Sequence, residues 1–425
     1  MSNRARVAGK LGVLAGGGPA PGINGVIGAA TIEANRHGVE VVGILDGVKW
    51  LADGRPDHVL RLDRDAVQEA MFRGGCLLGM SRENPADDEE KMHNVISSLN
   101  DLEIRYLITI GGDDTAFTAS RIAERVGSHI KVAHVPKTID NDLPLPGNVP
   151  TFGYNTAKHV GAELVGNLVE DARTTHRWYI VAAMGRSAGH LALAMGTSAG
   201  ADLTLIPEEF SQPKLPMATL CEIIEGAQIK ALATGQDYGV AVLAEGIAEL
   251  MKDELKDDPS VIVKYDKHNH LRLGEVPLAM IVARKLQMRA KNEDVSFVHV
   301  TLGYELRCAD PIAFDRENAT QLGWGAVRFL LQIGERNWGQ TGAMISVQSG
   351  EIVPIPLDKI LDLKTGKTDV RRVNVYSDEY AAARSMMTRL ERSDLDNPQQ
   401  LERLAEVAKI SPDAFLERYA HTVTK

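Results

Sequence analysis

Cysteine is scarce in this sequence: Cys76, Cys221 and Cys308 are the only three in 425 residues. An odd number, widely spaced and without a C-x-x-C pair, excludes a disulfide framework and a cysteine-rich zinc site, and it suits a reducing, cytoplasmic setting. Aromatic residues are few, at 5%, which argues against an all-β binding module. Basic residues fall short of acidic ones, 47 against 57, for a formal net charge of −10. No nucleic-acid partner is therefore expected, although a local cluster of cations can still bind phosphate. No run of about 18 apolar residues occurs, so no membrane span is expected. Met1–Lys10 is short and basic and leads straight into Leu11-Gly-Val-Leu-Ala15, with no signal-peptide core before a cleavage site.

Glycine is abundant, at 39 residues, within an ordinary 44% hydrophobic and 24% charged composition. That combination fits a folded α/β chain with many tight strand-to-helix turns. The length predicts two or three domains. Apolar strands are expected at Leu11–Ala15, Val39–Leu45, Arg105–Ile110 and Ile130–Val135. Helical patterns follow at about Asn24–Arg36, Asp63–Met71, Asp87–Asn100 and Ala116–Val126. This alternation predicts a parallel sheet covered by helices. A loop with Pro144, Pro146 and Pro150 interrupts it and marks a domain boundary. Beyond it, a helix at Asn155–Asp171 and strands at Trp178–Met184, Asp202–Ile206 and Tyr238–Ala244 predict a second α/β unit. Met251–Leu271 is charged and reads as a surface excursion, and the charged, helix-forming composition from Ser385 on predicts a helical C-terminal extension.

The chemistry concentrates at strand ends. Gly16-Gly17-Gly18 follows an apolar strand and precedes a helix, where backbone N–H groups can meet a phosphate; the other reading is a tight turn. Pro21 stands where a dinucleotide G-x-G-x-x-G would need its third glycine, which disfavours a nicotinamide dehydrogenase. Gly366-Lys367-Thr368 mimics the end of a P-loop but is rejected, because Leu361 replaces the required glycine. Gly111-Gly112-Asp113-Asp114-Thr115 puts carboxylates at the rim of a sheet, where ligands bind in open α/β folds. Asp113 could hold Mg²⁺ there, while either aspartate could instead cap the following helix. Pro136-Lys137-Thr138-Ile139-Asp140-Asn141-Asp142 carries two carboxylates two residues apart, suited to a general base and an orienting group, or to an Asx-bonded turn. Met184-Gly185-Arg186 adds a cation at a further corner. Acidic and basic corners together suggest phosphoryl transfer, which needs positioning and charge stabilisation above all. His268 and His270 lie in a polar stretch without metal-ligand spacing, and Asn318-Ala-Thr320 is a glycosylation sequon only in a secreted chain.

These segments, taken in order, resemble the phosphofructokinases. The resemblance rests on Gly16 to Asn24, Gly111 to Thr115, Lys137 to Asp142 and Met184 to Arg186, with Gly74-Gly-Cys-Leu-Leu-Gly-Met-Ser-Arg82 and Leu302-Gly-Tyr-Glu-Leu-Arg307. It spans about residues 10–360. It implies two Rossmann-like three-layer domains: 1–150, with part of 307–340, for the phosphoryl donor and Mg²⁺; 151–306 plus about 341–384 for a sugar phosphate; and 385–425 as the helical extension. The active site is expected between them. Asp114 and Lys137 stand where ATP-using relatives usually carry glycine, so the sequence looks like the pyrophosphate-dependent branch. A carboxylate at 114 would repel a nucleotide's α-phosphate, and Lys137 would serve a small, highly charged donor.

The resemblance also implies roles. Asp140 is the base toward the 1-hydroxyl of fructose 6-phosphate, Lys137, Asp114 and Arg186 act in catalysis beside it, and Asp113 is the Mg²⁺ partner. Gly18, Arg82, Gly112, Asp114 and Lys137 bind pyrophosphate. Thr138, Asp142, Met184, Gly185, Arg186 and Glu245 surround the sugar and the phosphoryl group in transfer, with Tyr304 and Arg307 at the distal phosphate. Arg177 reaches across a subunit interface in family members, so a homodimer or homotetramer is expected. One departure is Val298, where many relatives have a second such arginine. The rivals are an ATP-dependent enzyme and a non-catalytic regulatory subunit of the same fold; the latter is disfavoured by the presence of Asp140, Asp142 and Arg186.

Overall fold

The computed structural model describes residues 9–258, 264, 272–290, 295–334, 341–359, 361–362 and 367–423. His268, His270, Gly366 and much of the Met251–Leu271 stretch lie outside the described residues. The chain forms two compact units, Met1–Ala157 with Tyr304–Arg371, and Lys158–Gly303 with Arg372–Lys425. In chain order the strands of the first unit are β1 (Lys10–Ala15), β2 (Val41–Ile44), β3 (Val59–Leu62), β4 (Ile104–Gly111), β5 (Lys131–Thr138) and β6 (Phe152–Gly153). The second unit holds β7 (Arg177–Ala183), β8 (Leu203–Leu205), β9 (Gly239–Ala244) and β10 (Ser296–Leu302). The chain then returns to the first unit for β11 (Gly342–Gln348) and β12 (Glu351–Pro356).

The first sheet runs β12-β11-β5-β4-β1-β2-β3, with β6 paired to β5. Its centre is parallel, and the edge strands β3 and β12 are antiparallel. Alternation along β1 divides two cores. Leu11, Val13 and Ala15 pack with Ile23, Val26 and Ile27 of the helix Ile23–Arg36. Leu14 packs on the other face with Ala119 and Ile122 of the helix Asp113–Val126. Both faces are therefore covered, which is why the strands read as near-continuous apolar runs. From β1 the chain moves to β2 on one side and later to β4 on the other. The strand order reverses between β1 and β4, and their C-terminal ends form the crevice where open α/β sheets bind ligands.

Residues 342–356 correct the sequence reading, which groups about 341–384 with the second unit. β11 instead pairs in parallel with β5, and β12 folds back on β11. Buried Ala343, Met344 and Ile345 complete the first unit's cores. Their local pattern says strand but carries no mark of which sheet it joins.

The second sheet, β10-β7-β9-β8, is parallel throughout. Its core includes the fully buried Trp178 with Leu203, Leu205 and Leu243. The C-terminal helices Asp378–Ser385, Arg392–Asp396, Pro398–Ala408 and Pro412–Tyr419 belong to this unit. Leu404, Phe415 and Tyr419 cover Ile229 and Ala233 of the helix Met217–Ala233, and Glu225 of that helix accepts from Arg289 at 2.6 Å and Arg418 at 2.8 Å. Among the described residues, no helix is long and apolar enough to cross a membrane.

Candidate active site

Gly16, Gly17 and Gly18 leave the end of β1 beside the end of β4. Gly16 N–H donates to the Ile110 carbonyl at 2.9 Å, and Gly17 N–H donates to the Ser81 carbonyl at 2.8 Å. A Cβ at Gly16 would lie 2.5 Å from Thr115 Oγ1, and one at Gly111 would lie 2.3 Å from it. The two glycines let Thr115 pack under the crossing of both loops. The helix begins at Asp113, earlier than the expected Ala116. Gly112 is the N-cap and contributes no side-chain cap, so Asp113 and Asp114 both sit in the first turn. Carboxylates there are favoured by the positive end of the helix dipole, which explains why helix extends through residues that sequence rules treat as turn formers.

The end of β5 supplies the next group. Lys137 is only 7% exposed, and its Nζ donates to the Gly18 carbonyl. Its pKa is pushed down to about 8, by burial first and by Arg307 next, with Asp140 and Cys76 opposing and Arg82 adding to the fall. The turn after β5 is self-bonded. Thr138 Oγ1 accepts from Asp140 N–H at 3.0 Å and donates to Asp142 Oδ1 at 3.3 Å. Asn141 holds a left-handed φ of 56°, which Asn tolerates better than most residues. Arg371 fixes the turn, donating from Nε to the Asn141 carbonyl at 2.9 Å and from Nη1 to that of Val149 at 3.0 Å.

The stretch ending in Arg82 is anchored at both ends. Asn24, buried at the start of its helix, donates to the carbonyls of Arg73 and Gly74 and accepts from Leu77 N–H at 2.7 Å. Ser81 pairs with Gly16 in a short parallel bridge, which brings Arg82 to the glycine corner. Arg307, on the short helix Tyr304–Arg307, lies at the same corner: its Nη1 is 3.0 Å from where a Cβ would stand at Gly18. Tyr304 is 66% exposed, and the Arg307 guanidinium is 5.7 Å from its ring centre. Gly18, Arg82, Gly112, Asp113, Asp114, Lys137, Thr138, Asp140, Asp142, Tyr304 and Arg307 all belong to the first unit.

Arg177, Met184, Gly185, Arg186 and Glu245 belong to the second unit. β7 and β9 end side by side, with Ala183 opposite Ala244. Met184 and Glu245 are the first residues beyond them, and Glu245 N–H donates to the Ala183 carbonyl at 2.9 Å. A Cβ on Gly246 would lie 2.7 Å from the Arg186 carbonyl, so the two outgoing loops touch through backbone. Glu208 braces this corner, accepting from Gly189 N–H at 2.9 Å and from Val373 N–H at 3.1 Å. Arg177 is exposed at the start of β7, and Val298 lies opposite Tyr179 on the neighbouring β10.

Sequence reasoning gave no role to Asn24, Thr115, Glu208 or Arg371. Asn24 and Thr115 fall inside segments it singled out. Glu208 and Arg371 bond backbone groups far along the chain, and no local spacing signals that.

The first unit can thus hold a polyanion between glycine backbone and the cations Lys137, Arg82 and Arg307, with carboxylates on neighbouring strand ends. For a hard cation the donor set is oxygen only. Among the described residues no three His, Cys, Asp or Glu side chains gather to cage a metal. Asp113, alone or with water, fits Mg²⁺, which commonly takes one or two carboxylates and fills its remaining positions with water and phosphate oxygens.

The chain is similar to known proteins along nearly its whole length. Residues 10–330 match the family described as Phosphofructokinase. The chain is 51% identical to a pyrophosphate--fructose 6-phosphate 1-phosphotransferase of Thermotoga maritima, over 98% of this chain and 99% of that one. It is 45% identical to a protein of the same name from Naegleria fowleri, over 97% and 95%. Among solved structures, the pyrophosphate-dependent phosphofructokinase of Marinobacter aquaeolei superposes with a TM-score of 0.66 at 19% identity, covering 87% of this chain and 88% of that one. Pichia pastoris phosphofructokinase in the T-state gives a TM-score of 0.66 at 19% identity; the match covers 96% of this chain but 42% of that longer one. Both structures bear on the fold, a pair of Rossmann-like α/β units of the phosphofructokinase type.

Proposed function

Because this chain belongs to the phosphofructokinase family, we propose that it moves a phosphoryl group from pyrophosphate to the 1-hydroxyl of fructose 6-phosphate, giving fructose 1,6-bisphosphate and orthophosphate. The step is reversible and serves glycolysis and gluconeogenesis. The near full-length relatives at 51% and 45% identity carry that activity in their names. The observation that carries the reading here is Lys137: a buried amine at the end of β5, bonded to the Gly18 carbonyl, with Asp114 in the first turn after β4.

Asp140 takes the proton of the 1-hydroxyl as its oxygen forms the new bond to phosphorus. The bond from phosphorus to the departing orthophosphate breaks, and Lys137 meets the charge that collects there. Gly18, Gly112, Arg82 and Asp114 shape the donor corner, and Thr138 and Asp142 hold Asp140 in place. In the second unit Met184, Gly185, Arg186 and Glu245 receive the sugar and the phosphoryl group. Mg²⁺, held through Asp113, neutralises phosphate charge when bound.

We place the chain in the cytoplasm, as a homodimer or homotetramer in which Arg177 serves a neighbouring subunit. Free Cys76, Cys221 and Cys308 support the first point, and an exposed arginine at a strand start supports the second. Coupled assays of the purified full chain with fructose 6-phosphate, Mg²⁺ and either donor test the reading. Turnover with pyrophosphate is expected; turnover with ATP alone, or with neither, would overturn it.

A further inference from the structure

We propose that the C-terminal extension does more than cover the second unit: through the buried pair Arg389–Glu209 it positions the loop that carries Arg186. Arg389 and Glu209 are then positioning residues for the sugar site, an inference that rests on the proposed role of Arg186. The loop from the end of β7 to the helix His190–Ala199 is short, with Gly189 as the N-cap of that helix. Gly185 holds a positive φ of 144° within it. A Cβ at Gly189 would lie 2.4 Å from Ile206 Cβ and 2.8 Å from Glu208 Oε2. The loop therefore has little slack, and its far end rests directly on the turn Pro207–Glu209.

The chain beyond Arg372 grips that turn at two points. Val373 N–H meets Glu208, which also holds Gly189 N–H. Glu209 accepts from Ile206 N–H at 3.3 Å with one oxygen and from Arg389 Nη1 with the other, and both side chains of this ion pair are 4% exposed. The segment around Arg389 is itself stitched to three places. Thr388 N–H donates to the Asp202 carbonyl at 2.7 Å, and the Arg389 carbonyl accepts from Lys230 Nζ at 2.8 Å. Leu390 fills a notch at Gly226, where a Cβ would lie 2.6 Å from its Cδ1. Anchoring does not require the charges. Leu404, Phe415 and Tyr419 already bury against Ile229 and Ala233, and a buried ion pair, which loses its water, holds two elements no better than apolar side chains of similar volume. What a guanidinium on a carboxylate adds is a fixed direction. It sets the register of residues 206–209, on which Gly189 and the Arg186 loop rest.

Replacing both partners, Arg389→Met with Glu209→Met, tests this in the full chain, because it keeps volume and strands no charge. The double variant should unfold at a urea concentration close to that of wild type. Its kcat/KM for fructose 6-phosphate, at saturating pyrophosphate, should fall about 10–100-fold, the scale of a displacement of about 1 Å at a reacting group. Calorimetric binding of imidodiphosphate, a non-hydrolysable pyrophosphate analogue, with Mg²⁺ and without sugar, should match wild type. Arg389→Lys, which keeps the charge but not the fork, should show a smaller loss of the same kind. Leu404→Ala loosens the extension in its apolar seat instead, and should lower the urea midpoint with kcat/KM unchanged. In an Arg186→Met background the paired substitution should add little, since its effect passes through Arg186. Wild-type kcat/KM in both the paired variant and Arg389→Lys would overturn the inference. So would an equal loss in Leu404→Ala, weakened imidodiphosphate binding, or a full additional loss on top of Arg186→Met. Wild type that neither binds nor phosphorylates fructose 6-phosphate would instead defeat the proposed function.

Discussion

The proposed role of Lys137 in binding the donor implies a pH dependence that can be calculated. Its amine is buried, and desolvation, helped by Arg307, brings its pKa from 10.5 down to about 8. In the free protein it is about nine-tenths charged at pH 7 and about one-tenth at pH 9. Because kcat/KM follows the free enzyme's titration, kcat/KM for pyrophosphate should fall roughly tenfold between pH 7 and pH 9. The donor titrates too, so the same profile is needed for Lys137→Met, which retains only the donor's own contribution. A second readout carries the opposite sign. The folded pKa lies below the unfolded one, so burying the charged amine costs stability below pH 8, and the cost disappears as the pH climbs toward 10.5. The difference corresponds to at most about 3 kcal/mol. Lys137→Met should therefore be more resistant to urea than wild type at pH 7, less the Gly18 carbonyl's lost donor, and the advantage should shrink by pH 10. A wild-type kcat/KM that stays level from pH 7 to pH 9, or an alkaline limb identical in Lys137→Met, would refute the reasoning.

The strand-end corners were legible because their chemistry is local. Glycine after an apolar run marks a place where backbone must approach something, and Asp, Lys or Arg next to it marks what that something carries. Gly16–Gly18, Gly112–Asp114, Lys137–Asp142 and Met184–Arg186 accordingly all lie at or just beyond the C-terminal ends of strands. The groups that hold those corners were not legible, since each joins positions remote in sequence. Asp315 accepts from Gly153 N–H and from the Thr156 hydroxyl across about 160 residues, Arg371 reaches back to Asn141, and Glu208 joins Gly189 to Val373. Sheet membership fails for the same reason: β11 joins β5 through a partner that only the folded chain provides.

Asp140→Asn should lower kcat by about 10²–10⁴-fold with sugar binding retained, as expected for a lost general base, and near-normal turnover would remove Asp140 from that role. Glu208→Ala strips an acceptor from the N–H groups of Gly189 and Val373. We expect a loss of about 1–3 kcal/mol in stability and a raised KM for fructose 6-phosphate; the pyrophosphate KM should hold and Glu208→Gln should recover much of the effect. Equal increases in both KM values would assign Glu208 to general stability only. The last prediction concerns donor choice. Asp114 is exposed in the first turn after β4, where a nucleotide's α-phosphate would meet a like charge. Two unit charges about 4 Å apart repel by roughly 1–4 kcal/mol at high to moderate effective dielectric, a tenfold or larger bias against ATP. Asp114→Gly alone should remove that barrier but also take a carboxylate from the proposed donor corner, with Asp140 still beside Lys137, so pyrophosphate turnover should drop. The double variant with glycine at 114 and 137 should accept ATP, because Gly18 and Arg82 remain at the corner to meet phosphate, whereas the N–H groups of Gly16 and Gly17 are already spent on the Ile110 and Ser81 carbonyls. Gly in the first turn costs up to about 1 kcal/mol of helix stability, so melting curves must accompany the kinetics. Wild-type turnover of ATP as efficient as that of pyrophosphate would show that Asp114 excludes nothing. An ATP-inactive double variant that still binds imidodiphosphate would place the barrier farther along the nucleotide, beyond the reach of either residue.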